Sequence, residues 1–179
     1  ERKTKIVKVT VQGEDMIVNI IITKAMKRNI LILIVSLLLV SCQGDIVYTA
    51  FNTLPHAGWA ADSSLCYQPT IIDSVSDYQM LITIRHTDAY PYQNLWLFVD
   101  IEKDSVSLRR DTIECYMANE RGEWLGGGLS IHELPLLYSD SYQFANSGEY
   151  HISITQGMRE DTLIGIKEVG VKIIRNEQK

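Results

Sequence analysis

Only three cysteines and four prolines occur along these 179 residues, and the motifs that usually announce an enzyme are missing. There is no H-E-x-x-H and no two histidines stand at i, i+4, so His56, His86, His132 and His151 read as half-exposed strand or loop residues, and no metal site is predicted. No G-x-S-x-G occurs, and Cys66 has no marked base beside it, which removes the recognisable nucleophile arrangements. The glycine cluster of Ala118–Leu129 lacks the GK[ST] ending of a phosphate loop. A glycosidase's two carboxylates, drawn from distant strands, would leave no sequence signal. The chain is therefore read as non-enzymatic and without a cofactor.

Long apolar runs are scarce too. The longest is the eleven-residue stretch Ile30–Val40, broken only by Ser36, well short of the roughly 20 residues that cross a bilayer. Its flanks explain it. Met26, Lys27 and Arg28 precede the run, and Leu39-Val40-Ser41-Cys42 follows it. A charged start, a short apolar segment and a small residue before the cut make a secretory signal, and a cysteine at that point makes it a lipoprotein signal. Cys42 is the expected lipidation site, with 26–41 removed as signal peptide. A single acyl chain holds a protein only marginally, so a multiply acylated cysteine is expected to supply the anchor. A buried core helix with an incidental cysteine is the alternative, and it leaves the order of cations, run, small residue and cysteine unexplained.

Residues 1–25 stand before that signal and begin without methionine. Signal peptides start proteins, so 1–25 reads as an upstream extension and Met26 as the start. The alternation at Lys5–Thr10 would otherwise suit a strand.

Positive charge is scarce once residues 1–41 are set aside. They hold seven of the 17 Lys+Arg and three of the 22 Asp+Glu, which leaves 10 against 19 in 42–179. Such a balance excludes tracking of nucleic-acid phosphates and attachment to anionic lipid by charge. The membrane partner is reached through Cys42. The remaining 138 residues suffice for one domain with a proper core. In an oxidising compartment Cys66 and Cys115 could form one disulfide, closing a loop of about fifty residues and contributing roughly 4 kcal/mol. They could equally be two separate thiols acting as small apolar groups.

What the chain does have is alternation. Ile46–Phe51 reads as a first strand, Asn52–Ser64 as a loop with Trp59 folded back onto the body, and Leu65–Ile72 as a short strand pushed to an edge by Pro69. Tyr78–His86 is the clearest strand, and Thr87–Pro91 is a turn. Asn94–Ile101 has apolar groups on both faces and is expected to be central. After a connection at Glu102-Lys103-Asp104, either Val106–Leu108 or Thr112–Met117 returns as the next strands. Ser130 and Glu133 have capping-box spacing, but Pro135 interrupts, so one helical turn at most is expected before a strand near Ser141–Phe144. Glu149–Gln156 and Ile166–Ile174 are the last two strands, with the polar loop Gly157–Gly165 between them. Short, regularly spaced strands argue for an all-β fold, a single antiparallel β-sandwich of jelly-roll or immunoglobulin-like type over 42–179.

The candidate binding residues are Tyr90 and Tyr92 flanking Pro91, Arg121, Trp124 in the glycine-rich loop, and Arg159. These residue types anchor protein interfaces. Aromatic platforms also bind sugars, so a carbohydrate-binding module using Trp124 and the tyrosines is the alternative reading.

The motifs Y-P-Y-x-N-L-W-L-F at Tyr90–Phe98, D-T-I-E-C-Y at Asp111–Tyr116, E-R-G-E-W-L-G at Glu120–Gly126 and G-M-R-E-D-x-L-x-G-I-x-x-V-G at Gly157–Gly170 follow the lipobox in order. With that order and spacing, Met26–Lys179 resembles the gliding-motility lipoprotein family GldH of the Bacteroidota. The resemblance implies an envelope lipoprotein without catalytic activity, an accessory of gliding motility and the type IX secretion machinery, with other envelope proteins as partners. It carries over Cys42 as the lipidation site and no further functional residue. Residues 1–25 lie outside the family's pattern. Asp is absent after Cys42, which in the better-known bacterial sorting scheme favours the outer membrane, and Gln43-Gly44-Asp45 lacks the dense acidic run associated with surface export. A periplasm-facing outer-membrane placement is expected.

Overall fold

The computed structural model describes residues 45–176. The stretch 1–25, the signal Met26–Cys42 and the first two tether residues, Gln43 and Gly44, lie outside the described residues. Within them the regular structure is strand: β1 (Asp45–Thr53), β2 (Trp59–Ala60), β3 (Leu65–Tyr67), β4 (Thr70–Ile71), β5 (Tyr78–His86), β6 (Asn94–Lys103), β7 (Val106–Tyr116), β8 (His132–Tyr142), β9 (Gly148–Glu149), β10 (His151–Gln156), β11 (Thr162–Leu163) and β12 (Ile166–Arg175). Eight of these form two four-stranded sheets, ordered β1-β12-β5-β8 and β3-β10-β6-β7. The pairings are antiparallel throughout. Taken in chain order, the eight alternate between the sheets except at the β6–β7 hairpin, which is the double Greek key of a jelly roll.

Alternation explains why these segments pair as they do. On β5, Tyr78, Met80, Ile82 and Ile84 are buried, and in register beside them on β12 lie Ile173, Val171 and Val169. On β6, Leu97, Val99 and Ile101 stand opposite Gln156, Ile154 and Ile152 of β10. These two rows face each other as the core. Fully burying one such apolar side chain stabilises by roughly 1.5–3 kcal/mol, so the rows fix the register of each sheet. Tyr67 ties the layers together, since its hydroxyl donates to the Val169 carbonyl at 2.7 Å and burial pushes the phenol pKa up to about 12. Trp59 folds back onto the body as expected and is fully buried, but it lies on the short strand β2 paired with β11 rather than in a loop, and its Nε1 donates to the Ser63 carbonyl at 2.9 Å.

Several expectations are corrected by tertiary context. Ser130–Tyr142 holds no helical turn, because His132–Tyr142 is strand β8. Pro135 stands opposite Thr83 on a sheet edge, where one side of the strand has no ladder and a missing N–H does no harm. The Glu133 N–H, which a capping box would have used, donates to the Gly127 carbonyl at 2.7 Å. The connection between β6 and β7 is Asp104-Ser105, both at positive φ (50° and 64°), the two-residue turn whose twist matches its strands. The two segments weighed for the return are parts of one eleven-residue strand. β6 is central in its sheet, but only its inner face is covered, leaving Trp96 37% and Phe98 48% exposed.

Cys66 and Cys115 do not pair. They lie on β3 and β7, with β10 and β6 between them, a span of roughly 14 Å at ordinary strand spacing and beyond disulfide reach. Both thiols are free, Cys66 exposed and Cys115 buried, and burial pushes the Cys115 thiol pKa up to about 12. His86 and His132 are likewise not half-exposed: they are buried opposite each other on β5 and β8.

Candidate functional site

The outer face of the second sheet carries a groove of about 620 Å³, lined by Tyr92, Asn94, Trp96, Phe98, Met158 and Arg159 among others. Alternation on β6 puts Trp96 and Phe98 on the side away from Leu95, Leu97 and Val99. The far wall follows from where β10 stops. Buried Gln156 accepts the Met158 N–H at 2.8 Å and donates from Nε2 to the Glu160 carbonyl at 2.8 Å, folding 157–160 back beside β6. The Gly157 N–H donates to the Trp96 carbonyl at 2.7 Å, and the Trp96 N–H donates to the Met158 sulfur at 3.4 Å. Gly157 is what lets the Phe98 ring lie there, since a β-carbon at that position would stand 3.1 Å from the ring.

Polar groups rim this apolar floor. The Tyr92 hydroxyl donates to Glu160 Oε1 at 2.6 Å, and that carboxylate raises the tyrosine pKa. Asn94 Nδ2 donates to Glu114 Oε1 at 2.6 Å. Arg159 is exposed at the mouth. Aromatic rings, an arginine and an adaptable methionine suit recognition of a partner. The lining offers an apolar floor with polar groups at its edge, an arrangement suited to binding.

A second aromatic cluster lies at the junction of β5 and β8. His86 is fully buried and its ring meets that of Trp124 edge-on at 4.6 Å, with the His132 ring 5.2 Å away. Asp88 Oδ1 accepts both Trp124 Nε1 at 2.9 Å and His132 Nε2 at 2.8 Å, and these bonds hold its carboxyl below the usual range. Burial pushes the His86 pKa down. The cluster fixes Trp124, and with it the glycine-rich loop, against the sandwich. Among the described residues no group of three or more His, Cys, Asp or Glu side chains is arranged to hold a metal.

The sequence candidates therefore divide. Tyr92 and Arg159 reach the groove. Tyr90 is buried, with its hydroxyl donating to the Asn94 carbonyl at 2.6 Å, and supports Tyr92 from beneath at a ring distance of 5.9 Å. Trp124 belongs to the histidine cluster, and Arg121 is exposed on the turn that Asn119 closes by accepting the Arg121 and Glu123 N–H groups. Cys42 lies outside the described residues. Sequence reasoning missed Trp96, Phe98, Met158 and Glu160. The available signal was Asp100, which shares a stripe with Trp96 and Phe98 and marks that side of β6 as open to water.

Comparison with known proteins gives a consistent result. The model of the GldH lipoprotein family matches residues 46–173. The gliding motility lipoprotein GldH of Flavobacterium johnsoniae is 33% identical over 155 residues, covering 82% of this chain and 96% of that protein. The GldH homolog of Christiangramia forsetii is 33% identical over 145 residues, covering 76% of this chain and 88% of that one. Among solved structures, an exo-beta-1,3-galactanase from Phanerochaete chrysosporium aligns with a TM-score of 0.35 and 11% identity over 72% of this chain and 27% of the other. A likeness that low carries no argument.

Proposed function

The chain belongs to the GldH lipoprotein family, and from that premise we propose a non-enzymatic envelope lipoprotein that serves gliding motility and the linked type IX secretion machinery through contacts with other envelope proteins. The family match across residues 46–173 carries this reading. In it, 26–41 is the signal peptide, and acylated Cys42 tethers the sandwich of 42–179 to the outer membrane on its periplasmic side. The groove of Tyr92, Trp96, Phe98, Met158 and Arg159 is the contact surface, because it gathers exposed aromatic, thioether and guanidinium groups on a face that the sandwich does not need to cover.

The test is crosslinking in cells with the full-length tagged protein, followed by mass spectrometry. Enrichment of motility or secretion components is expected, and recovery of the bait alone would count against the reading. Cys42→Ala should move the protein into soluble fractions and abolish labelling by palmitate. Equal labelling of wild type and variant would remove the anchor. The glycan alternative finds some footing in the same groove, where aromatic rings stand beside Asn94, Glu114 and Glu160. Hits on a glycan array that vanish in Trp96→Ala would favour it over protein contacts.

A further inference from the structure

Strand β7 is the edge of the second sheet. It pairs with β6 from Asn94↔Tyr116 to Lys103↔Val106, regularly over Arg109–Tyr116 and with a register break at Leu108, and on its other side no backbone hydrogen bond is made among the described residues. The opposite edge differs, because β3 is only three residues long and the Cys66 carbonyl already accepts from Asn52 Nδ2 at 3.0 Å. An unpaired edge of eleven residues is a template for another strand unless something blunts it.

The charges on the inner side of β7 are engaged within the chain. Arg109 donates to Asp111 at 2.6 Å and lies 5.1 Å over the Tyr138 ring, and Asp111 also accepts the Tyr138 hydroxyl at 2.6 Å. The outer side retains free capacity. Arg110 donates to Asp100 from Nε and Nη2, leaving Nη1, while Glu114 accepts from Asn94 at Oε1, leaving Oε2.

Set against a reversed copy of itself, β7 finds a complementary register. With the two-fold axis at Thr112, inside the regular part of the strand, each threonine faces its counterpart and Arg110 of each copy faces Glu114 of the other. Hydroxyl and opposite-charge pairs are cross-strand combinations that stabilise an antiparallel ladder. Neighbouring registers are worse: an axis at Arg110 sets that cation against itself, and one at Asp111 does the same with a carboxylate.

We propose that two copies of this protein associate through β7, antiparallel about a two-fold axis at Thr112, joining their second sheets into one eight-stranded sheet. The contact is isologous and closes the exposed edge of both copies. Thr112 also borders the groove, so association places the two grooves on one continuous face flanking the axis. The proposal stands independently of the motility reading, since it rests on the strand alone.

The test uses the full-length protein in membranes of the producing cell, in a Cys66→Ser background that removes the exposed thiol. Opposed positions of an antiparallel pair lie about 4.5–5.5 Å apart at Cα, within disulfide reach. Mild oxidation should link Thr112→Cys into a dimer at least tenfold more than Arg110→Cys or Glu114→Cys alone. Co-expressing the latter two should restore linkage between them. Adding Glu114→Arg to Thr112→Cys should lower the dimer yield at least fivefold with membrane attachment unchanged. No dimer from Thr112→Cys, equal linkage at all three positions, or a yield indifferent to Glu114→Arg would overturn the proposal.

Discussion

The two sheets bury their inner faces alike and treat their outer faces differently. On the first sheet Phe51 lies across Gly170, and the Arg85 guanidinium sits 4.2 Å over the ring. That guanidinium also donates to Glu133 at 2.7 Å and Glu168 at 2.6 Å, and Glu168 accepts the Thr53 hydroxyl at 3.2 Å. Ring, cation and carboxylates satisfy one another. On the second sheet the Phe98 ring lies against Gly157, the first residue beyond the end of β10. Among the described residues no cation lies over Phe98 or Trp96. Phe51 is itself 40% exposed, so the two faces differ in the charges gathered on the ring rather than in whether an aromatic ring meets water.

The strongest way to break this comparison is to remove each aromatic surface in turn. Trp96→Ala with Phe98→Ala should cut the recovery of crosslinked partners more than tenfold, whereas Phe51→Ala with Arg85→Ala should leave it within twofold. Equal losses would show that the faces do not differ in role. Arg85→Ala takes a cation from between two carboxylates and off an aromatic face, and should cost about 1 kcal/mol in urea unfolding.

Acidification separates two groups of the first sheet, a buried histidine and an ion-paired carboxylate. Burial holds the His86 pKa below its ordinary value near 6.5, so above that value the folded state loses nothing to this group. Its contribution disappears as the pH falls below about 6.5, where the unfolded chain takes up the proton first. The ion-paired carboxylate of Glu168 behaves differently. The Arg85 hydrogen bond lowers its pKa from 4.5, so its contribution is lost only at more acidic pH. Melting temperature should drop between pH 7.5 and 5.5, and His86→Phe should flatten that slope. If wild type and variant fall together, the histidine cluster is not the cause. The smallest effect expected is from Gly157→Ala, whose added carbon would displace the Phe98 and Trp96 side chains by a few tenths of an ångström. Partner recovery should fall about twofold with melting unchanged.

How much could be read in advance depended on whether a signal was local. β5 and the start of β12 follow from alternation alone, because one apolar face per strand is enough to set register. β8 was missed because Pro135 and the Ser130–Glu133 spacing are local helix-boundary signals, and what overrules them is a sheet edge built from residues some fifty positions earlier. The disulfide, the buried histidines and buried Tyr90 went the same way, since each depends on which strands become neighbours. Of the groove, Tyr92 and Arg159 were legible. Met158 and Glu160 lay in what read as a polar loop, and Trp96 and Phe98 looked like core despite sharing their stripe of β6 with Asp100.

The sequence by itself determined most of the long strands, the all-β class and the family, because period-two alternation and ordered motifs are properties of neighbouring residues. Tertiary structure decided which apolar residues would stay in water. A strand has two faces, and only the placement of a second sheet says which is covered. That placement buries Leu95, Leu97 and Val99, leaves Trp96 and Phe98 exposed, and puts β7 at an edge with its backbone unpaired.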